Sequence, residues 1–167
     1  MQVLKNILLN WVLPVVLLFA GMAGLQYLRA PDVVTDPGGL APGFTLMNTE
    51  GLPVSLSDFR GQDVIVNFWG TWCGPCKAEL PGLNRFAKKN PDVVVLGLAV
   101  DSGDPTTLKR AKKQLGIQFE VLESQKKVGR AYGVSSVPTT FHVDPSGVLQ
   151  HAHVGIITPL GLSAWTR

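Results

Sequence analysis

Cysteine is scarce in this sequence. The chain has two cysteines among 167 residues, and both lie in the segment Trp72-Cys73-Gly74-Pro75-Cys76. A disulfide between residues so close together closes a very short loop, so it removes little conformational entropy from the unfolded chain. A framework of structural disulfides is therefore excluded, and we interpret the pair as chemically reactive.

A strong excess of either charge is also missing. The formal net charge is +3, from 15 basic and 12 acidic residues. The basic residues cluster at Lys88-Lys89 and between Lys109 and Lys113, where the pattern is typical of a solvated helix face; a site for an anionic partner is the less favoured alternative. Internal repeats are absent as well, and no low-complexity tract occurs outside the linker-like residues 29–40. Nothing in this composition indicates a nucleic-acid partner.

Histidine, the other common ligand of zinc, occurs three times, as His142, His151 and His153. Zinc sites in proteins usually have about four ligands, commonly in short-spaced pairs. None of the histidines forms such a pair with a cysteine. His151 and His153 alternate along a predicted strand, so they share one of its faces. We therefore expect no metal site and no cofactor other than a redox-active Cys73–Cys76 disulfide.

The N-terminal region has a long uncharged run, from Asn6 to Leu28. As a helix rising about 1.5 Å per residue it would be roughly 35 Å long, enough to cross a hydrocarbon core of about 30 Å. We predict that residues 1–28 are a membrane anchor. A cleaved signal peptide is the alternative, for which Ala20–Gly24 offers a weak cleavage site. No cysteine lies nearby, which excludes lipoprotein processing.

The charges that flank this run predict an orientation. Lys5 precedes it, while the positive charge of Arg29 is offset by Asp32 and Asp36. Because positive residues favour the cytoplasmic side, we expect a single pass through the cytoplasmic (inner) membrane, with the following domain on the periplasmic or extracytoplasmic side. The cysteine pair would then work in an oxidising compartment.

Residues 29–40 are rich in proline, glycine and aspartate and predict a linker, so we expect the folded domain to span residues 41–167. Strand and helix patterns alternate within it. The pattern predicts an α/β domain with a mixed sheet and helices on both faces. The predicted strands are residues 63–69, 93–100, 119–122, 139–143 and 148–154, and the predicted helices are residues 73–90, 106–115, 126–132 and 158–165.

The cysteine pair lies between a buried strand and a helix. At the start of a helix, free N–H groups and the helix dipole stabilise an anion, which lowers a thiol pKa and favours the nucleophilic thiolate. We therefore assign Cys73 as the attacking thiol and Cys76, one turn later, as the resolving thiol. A peroxidatic cysteine would usually follow a Thr or Ser by three residues. Gly70 occupies that position, so we do not expect a peroxidase.

The segment Trp72–Cys76 after a buried strand, with Val137-Pro138-Thr139 about sixty residues later, resembles the thioredoxin superfamily. Further segments resemble the membrane-anchored TlpA/ResA/DsbE (CcmG)-like branch, and the likeness covers residues 41–157. These segments are residues 41–46 (APGFTL), 66–73 (VNFWGTWC), 76–81 (CKAELP) and 132–141.

The resemblance implies a thioredoxin-like fold and a role for several further residues. Pro138 would be a cis-proline beside the dithiol, binding substrate backbone together with Val137 and Trp72; an ordinary trans-proline is the alternative. Glu79 would join Cys73 and Cys76 as a catalytic residue that exchanges protons, unless it is a solvent-facing helix glutamate. Asn67 stands where thioredoxins carry a buried aspartate, so a proton relay would have to use Glu79 or water.

These inferences predict a membrane-tethered thiol–disulfide oxidoreductase that reduces protein disulfides outside the cytoplasm. The resemblance implies cytochrome c maturation, with apocytochrome c as substrate and a membrane thiol transporter as electron donor. Two alternatives remain at this point. One is an oxidase or isomerase that donates its disulfide, and the other is a non-catalytic binding or chaperone module.

Overall fold

The structure, a computed structural model, describes residues 37–166 and the single residue Pro14. Apart from Pro14, the predicted membrane anchor, residues 1–28, lies outside the described residues, as does most of the predicted linker. Within the part that is described, no helix has the length and apolar character needed to cross a membrane.

A five-stranded mixed sheet forms the centre of the domain, in the order β5-β4-β3-β6-β7. Strands β1 and β2 form a separate, antiparallel two-stranded sheet. The elements are, in chain order, β1 (Thr45–Met47), β2 (Pro53–Ser55), a 3₁₀ helix (Leu56–Phe59), β3 (Asp63–Trp69), α1 (Gly74–Lys89), β4 (Val93–Ala99), α2 (Pro105–Gln114), β5 (Glu120–Glu123), α3 (Lys126–Ala131), β6 (Thr139–Val143), β7 (Leu149–Val154) and α4 (Pro159–Trp165).

Strand β3 lies in the middle of the sheet, parallel to β4 and antiparallel to β6. All of its residues after Asp63 are buried, because helices or loops cover both faces of the sheet. The sequence prediction of a mixed α/β sheet is therefore confirmed. The chain leaves β3 at Trp69 and starts α1 at Gly74, which places the cysteine pair at the C-terminal end of the central strand.

Two apolar cores lie on opposite faces of the sheet. One contains α1 side chains such as Leu83 and Phe86, together with Leu162 of α4. The other contains Tyr132, which follows α3, in ring contact with Phe68 and Phe141. Helices on both faces are thus also confirmed.

The N-terminal part of the domain holds structure that the sequence did not predict. Strands β1 and β2 have three residues each, too short to produce a periodic signal. Residues 38–40, part of the predicted linker, also pair with the sheet region: Gly38 N–H donates to the Leu149 carbonyl at 2.7 Å, and Leu40 forms a β-bridge with Val148.

Candidate active site

Cys73 and Cys76 form a disulfide at the start of α1, with an S–S distance of 2.06 Å. Cys73 is the N-cap residue of α1, and the backbone N–H of Cys76 donates to its Sγ at 3.1 Å. Pro75 falls in the first turn, where the lack of an N–H costs nothing. The sulfur of Cys73 therefore lies where free helix N–H groups point, as the sequence predicted.

The loop before Cys73 is braced by the end of β4. Ser102 Oγ accepts from the Thr71 backbone N–H at 2.9 Å and donates to the Val100 carbonyl at 2.8 Å. The indole Nε1–H of Trp72 donates to the same carbonyl at 3.2 Å. These hydrogen bonds hold the Thr71-Trp72 loop in place before the disulfide. The sequence carried no signal that Ser102 contributes to them.

Gly70 has a steric role in the same loop. A Cβ built at this position would lie 2.8 Å from Cε2 and Nε1 of Trp72, because the indole packs directly over the glycine backbone. The absence of a side chain at Gly70 therefore allows the Trp72 ring to lie beside the dithiol. Trp72 is 60% exposed as a residue, so part of this large apolar side chain remains available to a partner.

The Val137–Pro138 peptide bond is cis, as the resemblance implied. The Val137 carbonyl oxygen lies 3.7 Å from Cys73 Sγ, so this segment borders the reactive sulfur. The Pro138 carbonyl accepts from the Gly155 N–H at 2.8 Å, which ties the segment to the loop after β7. The Val137 N–H has no hydrogen-bond partner among residues 37–166 and can pair with an extended polypeptide.

Glu79 lies inside the protein, with 3% of its surface exposed. Its Oε1 accepts from Asn67 Nδ2 at 2.7 Å, and its Oε2 accepts from the Ile157 N–H at 3.0 Å. Asn67 Nδ2 also donates to Thr140 Oγ1 at 2.9 Å. The alternative of a solvent-facing helix glutamate is therefore wrong. The contact with Ile157, after β7, is one that spacing along the sequence could not reveal.

Burial sets the proton affinity of this carboxyl group. Loss of solvation raises the pKa of Glu79 from 4.5 to about 7, although the hydrogen bonds from Ile157 and Asn67 act in the lowering direction. The partner amide is neutral, so it does not hold the carboxylate in its charged form as a cation would. At neutral pH this group can both give and take a proton, one helical turn from Cys76.

His142 and His151 lie away from the disulfide, whereas His153 is closer to the site, because its Nε2 lies 3.2 Å from the carbonyl oxygen of Ile156, the neighbour of the residue that donates to Glu79. His142 Nε2 is 2.7 Å from Asp63 Oδ1 at the opposite end of β3, and the His142 ring stacks on His151. Across the described ranges, no group of three or more Cys, His, Asp or Glu side chains could hold a metal ion. His151 and His153 both lie on β7, as predicted.

Comparison with known proteins gives consistent likenesses. The AhpC/TSA family matches residues 37–152. The thiol-disulfide oxidoreductase ResA of Geobacillus thermodenitrificans is 35% identical over 154 residues, covering 88% of each chain. The thioredoxin-like protein YneN of Bacillus subtilis is 33% identical over 147 residues, covering 84% of each. A Chlorobium tepidum structure described as the thiol:disulfide interchange protein DsbE has 30% identity and a TM-score of 0.69, covering 78% of this chain and 93% of its own.

Proposed function

The chain belongs to the AhpC/TSA family and is a thiol–disulfide oxidoreductase of the ResA/DsbE type, and we propose that it reduces protein disulfides outside the cytoplasm. The observation that carries the proposal is the Cys73–Cys76 pair at the start of α1, bordered by the cis Val137–Pro138 bond. The nucleophilic sulfur of Cys73 thus lies beside a backbone segment that can bind an extended polypeptide.

The reaction transfers two electrons from the protein to its substrate. The Cys73 thiolate attacks one sulfur of the substrate disulfide, and that bond breaks as a mixed disulfide forms and one substrate thiolate leaves. Cys76 then loses its proton, attacks the Cys73 sulfur and expels the second substrate thiolate. The protein ends as the Cys73–Cys76 disulfide and the substrate as a dithiol.

Proton transfer accompanies the second step. Cys76 must lose a proton to attack, and each departing substrate thiolate takes one up. The Glu79 carboxyl, with a pKa raised by burial to about 7, can accept the Cys76 proton directly or through water. Asn67 cannot replace it, because an amide does not titrate.

The setting of this reaction is part of the proposal. The uncharged run from Asn6 to Leu28 supports a single-pass anchor in the cytoplasmic membrane, with the catalytic domain on the periplasmic or extracytoplasmic side. A tether would keep the enzyme at high effective concentration near membrane-bound partners. The substrates we propose are the haem-binding cysteines of apocytochrome c, with a membrane thiol transporter returning electrons to Cys73 and Cys76.

A trapping experiment tests this proposal. In Cys76→Ser protein the mixed disulfide on Cys73 cannot resolve, so covalent complexes should accumulate in cells and can be identified by mass spectrometry. Cys73→Ser protein is the matched control and should trap nothing. Apocytochrome c and its assembly factors are the expected partners. Their absence among trapped proteins would contradict the maturation role, and the absence of any trapped protein would contradict disulfide exchange.

The two alternatives predict different results. An oxidase or isomerase uses the same atoms but has a strongly oxidising reduction potential. A binding or chaperone module needs neither thiol, so a Cys73→Ala, Cys76→Ala double variant would keep full function in cells. We expect that double variant to be inactive.

A further inference from the structure

A groove lies between Trp72 and helix α3, close in sequence and space to the segment that borders Cys73. It encloses about 280 Å³, close to the lower end of known ligand sites, which suits one or two side chains of a polypeptide. Its lining includes the apolar Trp72, Val134 and Val137 and the charged Asp101, Lys126 and Arg130. Because Val137 belongs both to this groove and to the segment beside Cys73 Sγ, a bound polypeptide would reach the groove directly from the reactive sulfur.

One part of the groove is apolar. Trp72 is an exposed residue, and its indole is held in place by its hydrogen bond to the Val100 carbonyl and by the close approach of Gly70. Val134 and Val137 add partly buried aliphatic surface. A rigid, exposed indole loses little conformational freedom when a partner covers it, which favours contact with an apolar side chain.

A second part of the groove's lining is cationic. Lys126 and Arg130 lie one turn apart on α3, both exposed and on the same face. Neither forms an ion pair or side-chain hydrogen bond with any residue of the described domain. Asp101 is the one acidic residue among those lining the groove. Lys109 and Lys112 differ in this respect, because each pairs with a glutamate of the protein itself.

We propose that this groove selects the substrate polypeptide, binding an apolar side chain near the reactive cysteine on Trp72 and an acidic side chain on Lys126 and Arg130. The inference rests on the proposed function, since it concerns the substrate of the same dithiol. Because Lys126 and Arg130 outnumber the single acid Asp101, the groove has a net positive charge that is complementary to a carboxylate. Lys126 and Arg130 thereby become residues that determine specificity rather than residues that carry out the exchange.

Two synthetic disulfide peptides test the charge selection. They share one length and one apolar residue beside the cysteine, and they differ in carrying glutamates or lysines beyond it. The reduced full-length protein should oxidise faster with the glutamate peptide. Exposed charge pairs contribute modestly, so the Lys126→Glu, Arg130→Glu double variant should lower kcat/KM for that peptide about tenfold and reverse the preference.

The neighbouring Lys127 provides a matched control. It lies beside Lys126 in sequence but lines a different cavity, with Ser57 and Arg60. A Lys127→Glu, Lys113→Glu double variant changes the net charge by the same amount and leaves the groove intact. It should keep the wild-type preference, and an equal loss in this control would overturn selection by the groove.

A neutral small disulfide, hydroxyethyl disulfide, separates failure of this inference from failure of the proposed function. Wild-type protein and both double variants should reduce it at similar rates. Equal rates with the two peptides, while hydroxyethyl disulfide is reduced, would overturn the charge selection alone. Failure to reduce any of the three compounds would overturn the proposed function and the selection with it.

Discussion

The two ends of strand β3 each hold a polar pair, and the pairs differ in their partners. Near the disulfide, Asn67 donates to the buried carboxylate of Glu79 at 2.7 Å. At the far end, the buried ring of His142 lies 2.7 Å from Asp63, whose side chain is 31% exposed. In the first pair the Glu79 carboxylate is buried against a neutral amide, and in the second the Asp63 carboxylate is partly exposed to solvent.

The fold thereby makes one carboxylate reactive and the other structural. Desolvation without a compensating cation raises the pKa of Glu79 to about 7 and makes it a proton carrier beside the thiols. The Asp63 side chain is partly exposed to solvent and contacts the His142 imidazole, and it lies at the end of β3 away from the dithiol. Changes near the disulfide should therefore alter the chemistry and, at Glu79, the pH dependence of stability, whereas changes at the far end should alter stability alone.

The largest effect is expected at the disulfide itself. Cys73→Ser removes the attacking thiol, so the rate of disulfide reduction should fall at least about a thousandfold. Both cysteines lie at one helix end and close a short loop, so folding should persist. Stopped-flow measurement with a disulfide peptide, alongside circular dichroism, checks both statements. Residual activity above a tenth of wild type would contradict the assignment of Cys73.

The next largest effect is expected in how the free energy of unfolding changes with pH, because of Glu79. Glu79 binds its proton more tightly in the folded protein, with a pKa of about 7, than at its ordinary value of 4.5. Its stabilising contribution is therefore full below about pH 4.5 and is lost as the pH rises through 7. We expect a difference of roughly 3 kcal/mol between wild type and Glu79→Gln to develop over this interval. Urea unfolding of the oxidised protein measures it, and parallel curves for the two proteins would contradict the raised pKa.

The rate of exchange tests the same carboxyl group as a proton carrier. Glu79→Gln keeps a hydrogen-bond acceptor but cannot take a proton, so the rate near pH 7 should fall about a hundredfold. The wild-type rate should also show an inflection near pH 7 that the variant lacks. Persistence of this inflection in Glu79→Gln would assign it to another group, such as a cysteine thiol.

The smallest effect is expected at the far end of β3. His142→Phe keeps a ring to stack on His151 but removes the bond to Asp63, which water can then solvate in part. The free energy of unfolding should drop by about 1–2 kcal/mol. Activity should stay within about twofold of wild type. A large loss of activity at nearly unchanged stability would end the distinction between the two regions.

Much of this site could be predicted from the sequence because its signals are local. Cys73 and Cys76 are three residues apart at the start of one helix, and β3 and β6 have the predicted bounds, Asp63–Trp69 and Thr139–Val143. The rest depends on contacts between distant segments. The brace from Ser102 spans 31 residues, and the hydrogen bond from Ile157 to Glu79 spans 78. Neither residue belongs to a motif, so packing alone brings them to the site.

The reduction potential of the Cys73–Cys76 pair tests the central claim, reduction of substrate disulfides, most directly. It is measured by equilibrating the purified protein with glutathione buffers and determining the fraction that is oxidised. A reductant should have a value near that of thioredoxin, about −270 mV. A value near that of the oxidant DsbA, about −120 mV, would mean that the protein donates its disulfide instead and would contradict the account.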